Sequence, residues 1–146
     1  MLQIQEVQAA PRVEVHPRRL VLFVRPASSL QKRQSILAAW YREELRKEAW
    51  PLIETWQQRL HVRCNKLFIQ AMKRQWGSCN PFTRNIRLNT QLAQKPKICL
   101  DYIVLHELAH LRVPGHGEEF QALLDAHQPD WQKRRALLNS LPLLTT

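Results

Sequence analysis

Glycine is scarce in this chain: among 146 residues only Gly77, Gly115 and Gly117 occur. A phosphate-cradling loop of the nucleotide-binding kind needs several glycines close together, and no such stretch exists. All three glycines fall in two short segments, where they are expected to supply backbone conformations closed to other residues. Cysteine is equally rare. Cys64, Cys79 and Cys99 form no C-x-x-C pair, and any disulfide scheme leaves one of them over, which excludes a disulfide scaffold and fits a reducing compartment. They read as small buried thiols. Long apolar runs are missing too. Leu20 to Val24 is far too short to span a bilayer, and the opening "MLQIQEVQAAPRVEVHPRR" lacks the charged start and apolar stretch of a signal peptide. A cytoplasmic protein without a membrane role is expected. Acidic residues are outnumbered, 12 against 22 Lys+Arg, for a formal charge of +10. Between Thr55 and Leu100 there is no acid at all, while Arg59, Arg63, Lys66, Lys73, Arg74, Arg84, Arg87, Lys95 and Lys97 accumulate. This basic segment, 59–97, has two readings: edge protection of a strand by Arg84 and Arg87, or attraction of an anionic partner such as nucleic acid.

What remains is an ordinary globular composition, 45% hydrophobic, sufficient for one domain over 1–146 with a core of its own. Residues 1–12 are polar and read as a loose tail or a poorly ordered first strand. "VEVH" and "RLVLFV" have the β-branched content of short strands. From Ser28 or Ser29 the period changes, and Leu30, Leu37, Trp40, Tyr41 and Leu45 recur at helical spacing behind a serine cap. Pro51 should kink or end that helix before Ile53, Trp56 and Leu60. "KLFIQAM" (66–72) and "NIRLN" (85–89) alternate as strands, and "WGSCNPFT" between them has the composition of a connection, which predicts a hairpin. An amphipathic helix follows Pro96, carries Leu100, Ile103, Val104 and Leu108, and should end near Pro114. Another opens with Glu118 and Glu119, and a last one runs from about Trp131 to Leu141.

Chemistry concentrates in "VLHELAHLRVPGHG", Val104 to Gly117. Residues four apart on a helix share a face about 6 Å apart, so the rings of His106 and His110 can converge on one ion. No further residue on that face reaches the same ion with tetrahedral geometry. Val113-Pro114-Gly115 supplies a break and a reversal, which returns His116 to the first two. Imidazole nitrogen suits zinc, and three protein ligands with a fourth position left to water is the catalytic pattern, whereas a structural site is closed by four. Glu107 would face the activated water as general base and pass its proton to the leaving amine. H-E-x-x-H alone recurs by chance; the helix beneath it and the third histidine behind a breaker are what give it weight. His16, His61 and His127 are isolated and read as structural.

The spacing from His106 to His116 equals that of the metzincins, but Val113 stands where that pattern wants glycine, and the only methionines, Met1 and Met72, both lie upstream. The segments "MKRQWGSCNPFTRNIRLN", "DYIVLHELAHLRVPGHGEEF" and "PDWQKRRALL", with "WYREEL" more weakly, resemble instead the YgjP-like metallopeptidase-domain family, related in its core to the SprT-like and WLM zinc proteases. The resemblance is concentrated in a motif core over 66–141. It implies zinc held by His106, His110 and His116, Glu107 as catalytic base, and Trp76, Gly77 and Ser78 as a substrate-contacting turn beside the active-site helix. Gln75 departs from the family pattern, which usually has a basic residue there, and Gly117 stands where serine is common.

These readings converge on a compact α+β zincin-like domain, helices packed on a small, mostly antiparallel sheet, acting as a zinc-dependent hydrolase of peptides or proteins. Two rivals use the same residues. One is a metal-dependent phosphohydrolase acting on nucleotides, such as a nucleoside triphosphate pyrophosphatase; the other is a basic nucleic-acid-associated protein with a structural zinc. Arg74, Tyr102 and His127 are candidates for stabilising an oxyanion on chemistry alone.

Overall fold

The β-branched N-terminal segments pair as three strands: β1 (Leu2–Glu6), β2 (Arg12–His16) and β3 (Arg19–Val24). In the computed structural model, which describes residues 1–17, 19–141 and 143, β3 lies between the other two. It runs parallel to β1 and antiparallel to β2. Arg18, between β2 and β3, lies outside the described residues. Val21 to Val24 are all buried, as the apolar run "VLFV" demands, whereas every residue of β1 is exposed. Backbone pairing with β3, together with Gln3 accepting from Arg19 and Glu6 paired with Arg33 at 3.1 Å each, therefore orders a segment whose sequence gives no sign of a buried face. The chain divides into two compact units, Met1–Glu43 and Glu44–Thr146, and this sheet belongs to the first.

Helix α1 (Leu30–Leu60) starts in the first unit and continues into the second. The Ser29 hydroxyl accepts the Lys32 N–H at 3.0 Å, as the serine cap predicted. The helix does not end at Pro51. Leu45, Ala49, Ile53, Trp56 and Leu60 form one buried stripe across the proline. An internal proline costs about 3 kcal/mol, and each fully buried large apolar side chain returns about 1.5–3 kcal/mol. Ile53, Trp56 and Leu60, all beyond the proline, together outweigh the break.

In the second unit β4 (Leu67–Gln70), β5 (Gly77–Asn80) and β6 (Asn85–Asn89) form a sheet in the order β4-β6-β5. The expected hairpin between 66–72 and 85–89 is not made: β4 and β6 pair in parallel, Leu67 with Ile86 through Gln70 with Asn89. The stretch expected to connect them contains β5, which forms its own antiparallel hairpin with β6. Alternation fixes which residues face inward but not strand direction, and the residues between β4 and β6 suffice to carry the chain round to β6's other edge. Each of the two sheets has one parallel and one antiparallel pairing, so both are mixed rather than mostly antiparallel. Arg87 stands on the central strand over the Phe68 ring, 5.4 Å from its centroid, and cannot shield an edge.

A 3-10 turn (Thr90–Gln94) leads to α2 (Lys97–Ala109), followed by α3 (Glu118–His127) and α4 (Trp131–Ser140). Helix α2 is buried on nearly every side, from Cys99 through Ala109, rather than amphipathic. It ends at His110, four residues before Pro114, in a turn closed by the bond from Val113 N–H to Ala109 C=O. Arg134 on α4 reaches Asp101 on α2 at 2.9 Å and Asp130 at 3.1 Å, tying the last helix to the central one. The result is an α+β unit whose core lies between α1, the sheet and α2, with α2 delivering its C-terminal turn to the surface beside β5.

Candidate metal centre and cleft

His106 lies on the last turn of α2, His110 caps that helix, and His116 follows the reversal at Gly115. Gly115 has φ +74°, a left-handed conformation that glycine adopts without strain. Gly117, by contrast, has φ −76° and open space around it, so the expectation that all three glycines serve the backbone does not hold there. The turn brings three Nε2 atoms together: His106 to His110 at 3.3 Å, His110 to His116 at 3.1 Å, and His116 to His106 at 3.2 Å.

That triangle tests the expected cofactor. Four ligands at about 2.0–2.1 Å from a tetrahedral zinc stand roughly 3.3–3.4 Å from one another. The observed edges of 3.1–3.3 Å match one face of such a tetrahedron. The outward nitrogens are occupied elsewhere. His106 Nδ1 lies 3.3 Å from the Tyr102 hydroxyl and His110 Nδ1 lies 3.4 Å from the Val113 carbonyl. With the ring hydrogen on Nδ1 donated to those oxygens, each Nε2 keeps its lone pair for a cation. Phe120, itself buried, stacks on His110 at 4.4 Å between centroids and meets the edges of the other two rings. Gln121 donates to the His116 carbonyl at 3.3 Å and steadies the third ring's backbone.

Electrostatics favour neutral imidazoles. Burial pushes His106 down to about 3, with the charges of His110 and His116 adding to it. His110 is lowered by burial and then by His116. Glu107, 6% exposed, is pushed up to about 8 by burial alone. A divalent cation beside it favours the carboxylate again, the state in which it can accept a proton. Burial, then Glu107 and Cys64, raise the Cys79 thiol to about 11, so this cysteine of the cleft stays protonated in the metal-free protein.

Glu107 and the three histidines line one cleft of about 330 Å³ with Gln75, Gly77, Ser78, Cys79, Pro81, Pro114 and Gly115. Gly77 is required by approach rather than by dihedral angle. A Cβ there would meet Ile103 Cγ2 at 3.0 Å, Glu107 Oε2 at 3.1 Å and the Arg87 carbonyl at 3.2 Å. The expected W-G-S turn is thus split. Gly77 and Ser78 lie on β5 in the cleft, while Trp76 packs against the core and outside that lining. Gln75, the departure from the family pattern, also lines it. Of the oxyanion candidates, Tyr102 reaches the His106 ring, His127 stands against Trp56 at 6.2 Å, and Arg74 lines neither this cleft nor the one beside Tyr102.

One contributor escaped the sequence reading. Asn89 is fully buried at the end of β6, and its amide donates to the Met72 and Gln75 carbonyls at 2.8 Å each, while its carbonyl oxygen accepts the Gln91 N–H at 3.0 Å. It clamps the loop that delivers β5 to the cleft. The only signal was an asparagine closing an alternating strand, which reads as a turn residue just as well.

The cysteines are free, and no helix among the described residues is long and apolar enough to cross a membrane. None of the curated proteins matches the chain. Among solved structures, the metallopeptidase zymogen of Methanocaldococcus jannaschii jannalysin is similar at 21% identity and TM-score 0.56, covering 63% of this chain and 94% of that one. The metallopeptidase zymogen of Pyrococcus abyssi abylysin is similar at 19% identity and TM-score 0.57, covering 64% and 94%. At those identities the likeness speaks to fold. A family model described as YgjP-like, metallopeptidase domain, matches residues 1–141. With that match over nearly its whole length, the chain belongs to the YgjP-like metallopeptidase-domain family and is an enzyme of the metallopeptidase class.

Proposed function

We propose that this protein is a zinc-dependent peptidase in which His106, His110 and His116 hold the metal and Glu107 is the general base. The observation that carries the reading is the sharing of one cleft by the three-nitrogen triangle, a buried carboxylate and an edge strand. Family membership and the metallopeptidase zymogens with the same fold support it. Zinc is the ion of choice because three imidazoles and an open position are its catalytic donor set. When bound, it supplies Lewis acidity toward water and toward a carbonyl oxygen.

The chain's own groups do the rest. β5 is the edge strand of its sheet, and residues 77–79 line the cleft, so an extended peptide can pair with its exposed backbone and lie across the histidines. Glu107 takes the proton of the attacking water and returns it to the leaving amine. Tyr102 and the Val113 carbonyl hold the rings of His106 and His110 in the tautomer the metal needs. Changing Glu107 to Gln should leave zinc bound at one equivalent and lower kcat by roughly 10²–10⁴-fold, the usual weight of general acid–base catalysis. Full turnover in that variant, measured beside its metal content, would remove the mechanism.

The nucleotide phosphohydrolase reading is disfavoured by charge placement. The cleft at Glu107 has no lysine or arginine in its lining to neutralise a phosphate chain. The cations gather elsewhere: Arg63, Arg84 and Arg112, with His61 beside them, line a separate cavity of about 590 Å³ whose lining contains no acidic residue. His61 and Arg84 hold positive φ angles of 55° and 60° there, a conformation uncommon outside glycine. That cavity favours association with a polyanion such as nucleic acid as an accessory property of a peptidase, not as the reacting site. Free cysteines throughout suit a cytoplasmic setting.

A further inference from the structure

A second cleft, of about 340 Å³, reaches His106 and His116 without including Glu107 or His110. It is walled by Phe120 and Trp131, with Tyr102, Gln121 and Arg135 supplying its polar groups. No acidic residue belongs to the lining, and Arg135 is its one arginine.

The arginines at the start of α4 divide their work. Arg134 is bound to Asp101 and Asp130 and holds the helices together. Arg135, one residue on, is exposed, and among the described residues no carboxylate pairs with it. Its charge is felt at both the Tyr102 hydroxyl and the His106 ring. Tyr102 adds a donor: with its oxygen accepting from His106 Nδ1, its own O–H hydrogen remains to be given. A guanidinium and a hydroxyl between two aromatic walls complement one negative charge on a planar group. The lining of the other cleft has no lysine or arginine. His106 and His116 are the two rings common to both linings, so a peptide crossing them occupies one cleft on each side.

We propose that the Tyr102–Arg135 cleft is a specificity subsite that receives a carboxylate of the substrate, on the opposite side of the scissile bond from the stretch paired with β5. The inference rests on the peptidase reading. The carboxylate is either an Asp or Glu side chain or a free C-terminus; both present the same planar anion to Arg135.

Matched peptides on the zinc-loaded enzyme test it: Glu against Gln at each position near the cut, in C-terminally amidated peptides, and free acid against amide on a neutral sequence. The carboxylate-bearing member of at least one pair should have the higher kcat/KM by roughly tenfold, expressed in KM. A preference confined to the first pairing identifies the side chain, and one confined to the second identifies the terminus. Arg135→Gln should bring that ratio close to one, and Arg135→Glu should invert it in favour of a Lys or amidated counterpart. Arg135 is exposed, so thermal melts of both variants should match the parent. The affinity of the favoured and neutral peptides for zinc-loaded Glu107→Gln, measured by calorimetry, should show the same ranking without turnover. Equal kcat/KM across every pair, or a ratio unchanged by either Arg135 substitution, would overturn the subsite while leaving the peptidase reading intact. Failure to cut any peptide in a Glu107-dependent manner would overturn both.

Discussion

His106 and Glu107 are neighbours in the chain, and the same burial moves them in opposite directions, to about 3 and about 8. In the metal-free protein this sets two limbs of a stability profile. Glu107 keeps its proton in the folded state up to about 8 while the unfolded chain loses it near 4.5, so stability falls as pH rises across that window. His106 refuses a proton that the unfolded chain accepts below 6.5, so stability also falls as pH drops from there toward 3. Thermal melts in chelator should therefore peak between about 4.5 and 6.5, and Glu107→Gln should flatten the alkaline limb alone. A limb that survives the substitution would mean another group carries it. The histidines and glutamate were legible because their geometry is local: a four-residue helical repeat and one reversal. Arg135 was not, since "KRR" at 133–135 gives no sign of which arginine pairs; Asp101, 33 residues upstream of Arg134, makes the choice.

Strand β5 and helix α2 approach so closely at Gly77 that the spacing of these elements sets the position of Glu107. A methyl group there must displace Ile103, the Arg87 carbonyl or the Glu107 carboxylate. Gly77→Ala should cost about 1–3 kcal/mol in stability as an overpacked contact. It should also lower kcat by roughly ten- to a hundredfold through misplacement of the base, with zinc affinity little changed. Parent-like kcat in a folded Gly77→Ala protein would show that the approach is not needed. The starts of the last two helices, at Glu118 and Trp131, and the strand "NIRLN" could be read from the residue pattern, and the serine cap from residue type. Strand direction could not, because β4 and β6 alternate identically whether parallel or antiparallel. Nor could the fate of Pro51, which depends on a buried stripe formed only when α1 meets its partners. β1 was faint for the complementary reason that none of its side chains is buried.

Across the whole molecule the charge of +10 is not spread evenly, and the residues from Thr55 to Leu100 contribute to both the cationic cavity and the strands beside the cleft. If the cavity holds a phosphate backbone, the protein's affinity for a mixed-sequence oligonucleotide should fall steeply with salt. Combined Arg63→Gln, Arg84→Gln and Arg112→Gln substitution should then reduce the log–log salt slope by about 2–3, one phosphate contact each. An unchanged slope would assign the excess charge to solubility alone. The family match over residues 1–141 spans both compact units, whereas the residues of the proposed chemistry all lie in the second. Every function proposed for them depends on the ion. X-ray absorption at the zinc edge of the purified, zinc-loaded protein tests this most directly. Three imidazole nitrogens at about 2.0–2.1 Å and one oxygen donor from solvent are predicted; four protein ligands, or an ion lost on washing with the histidines intact, would contradict the account.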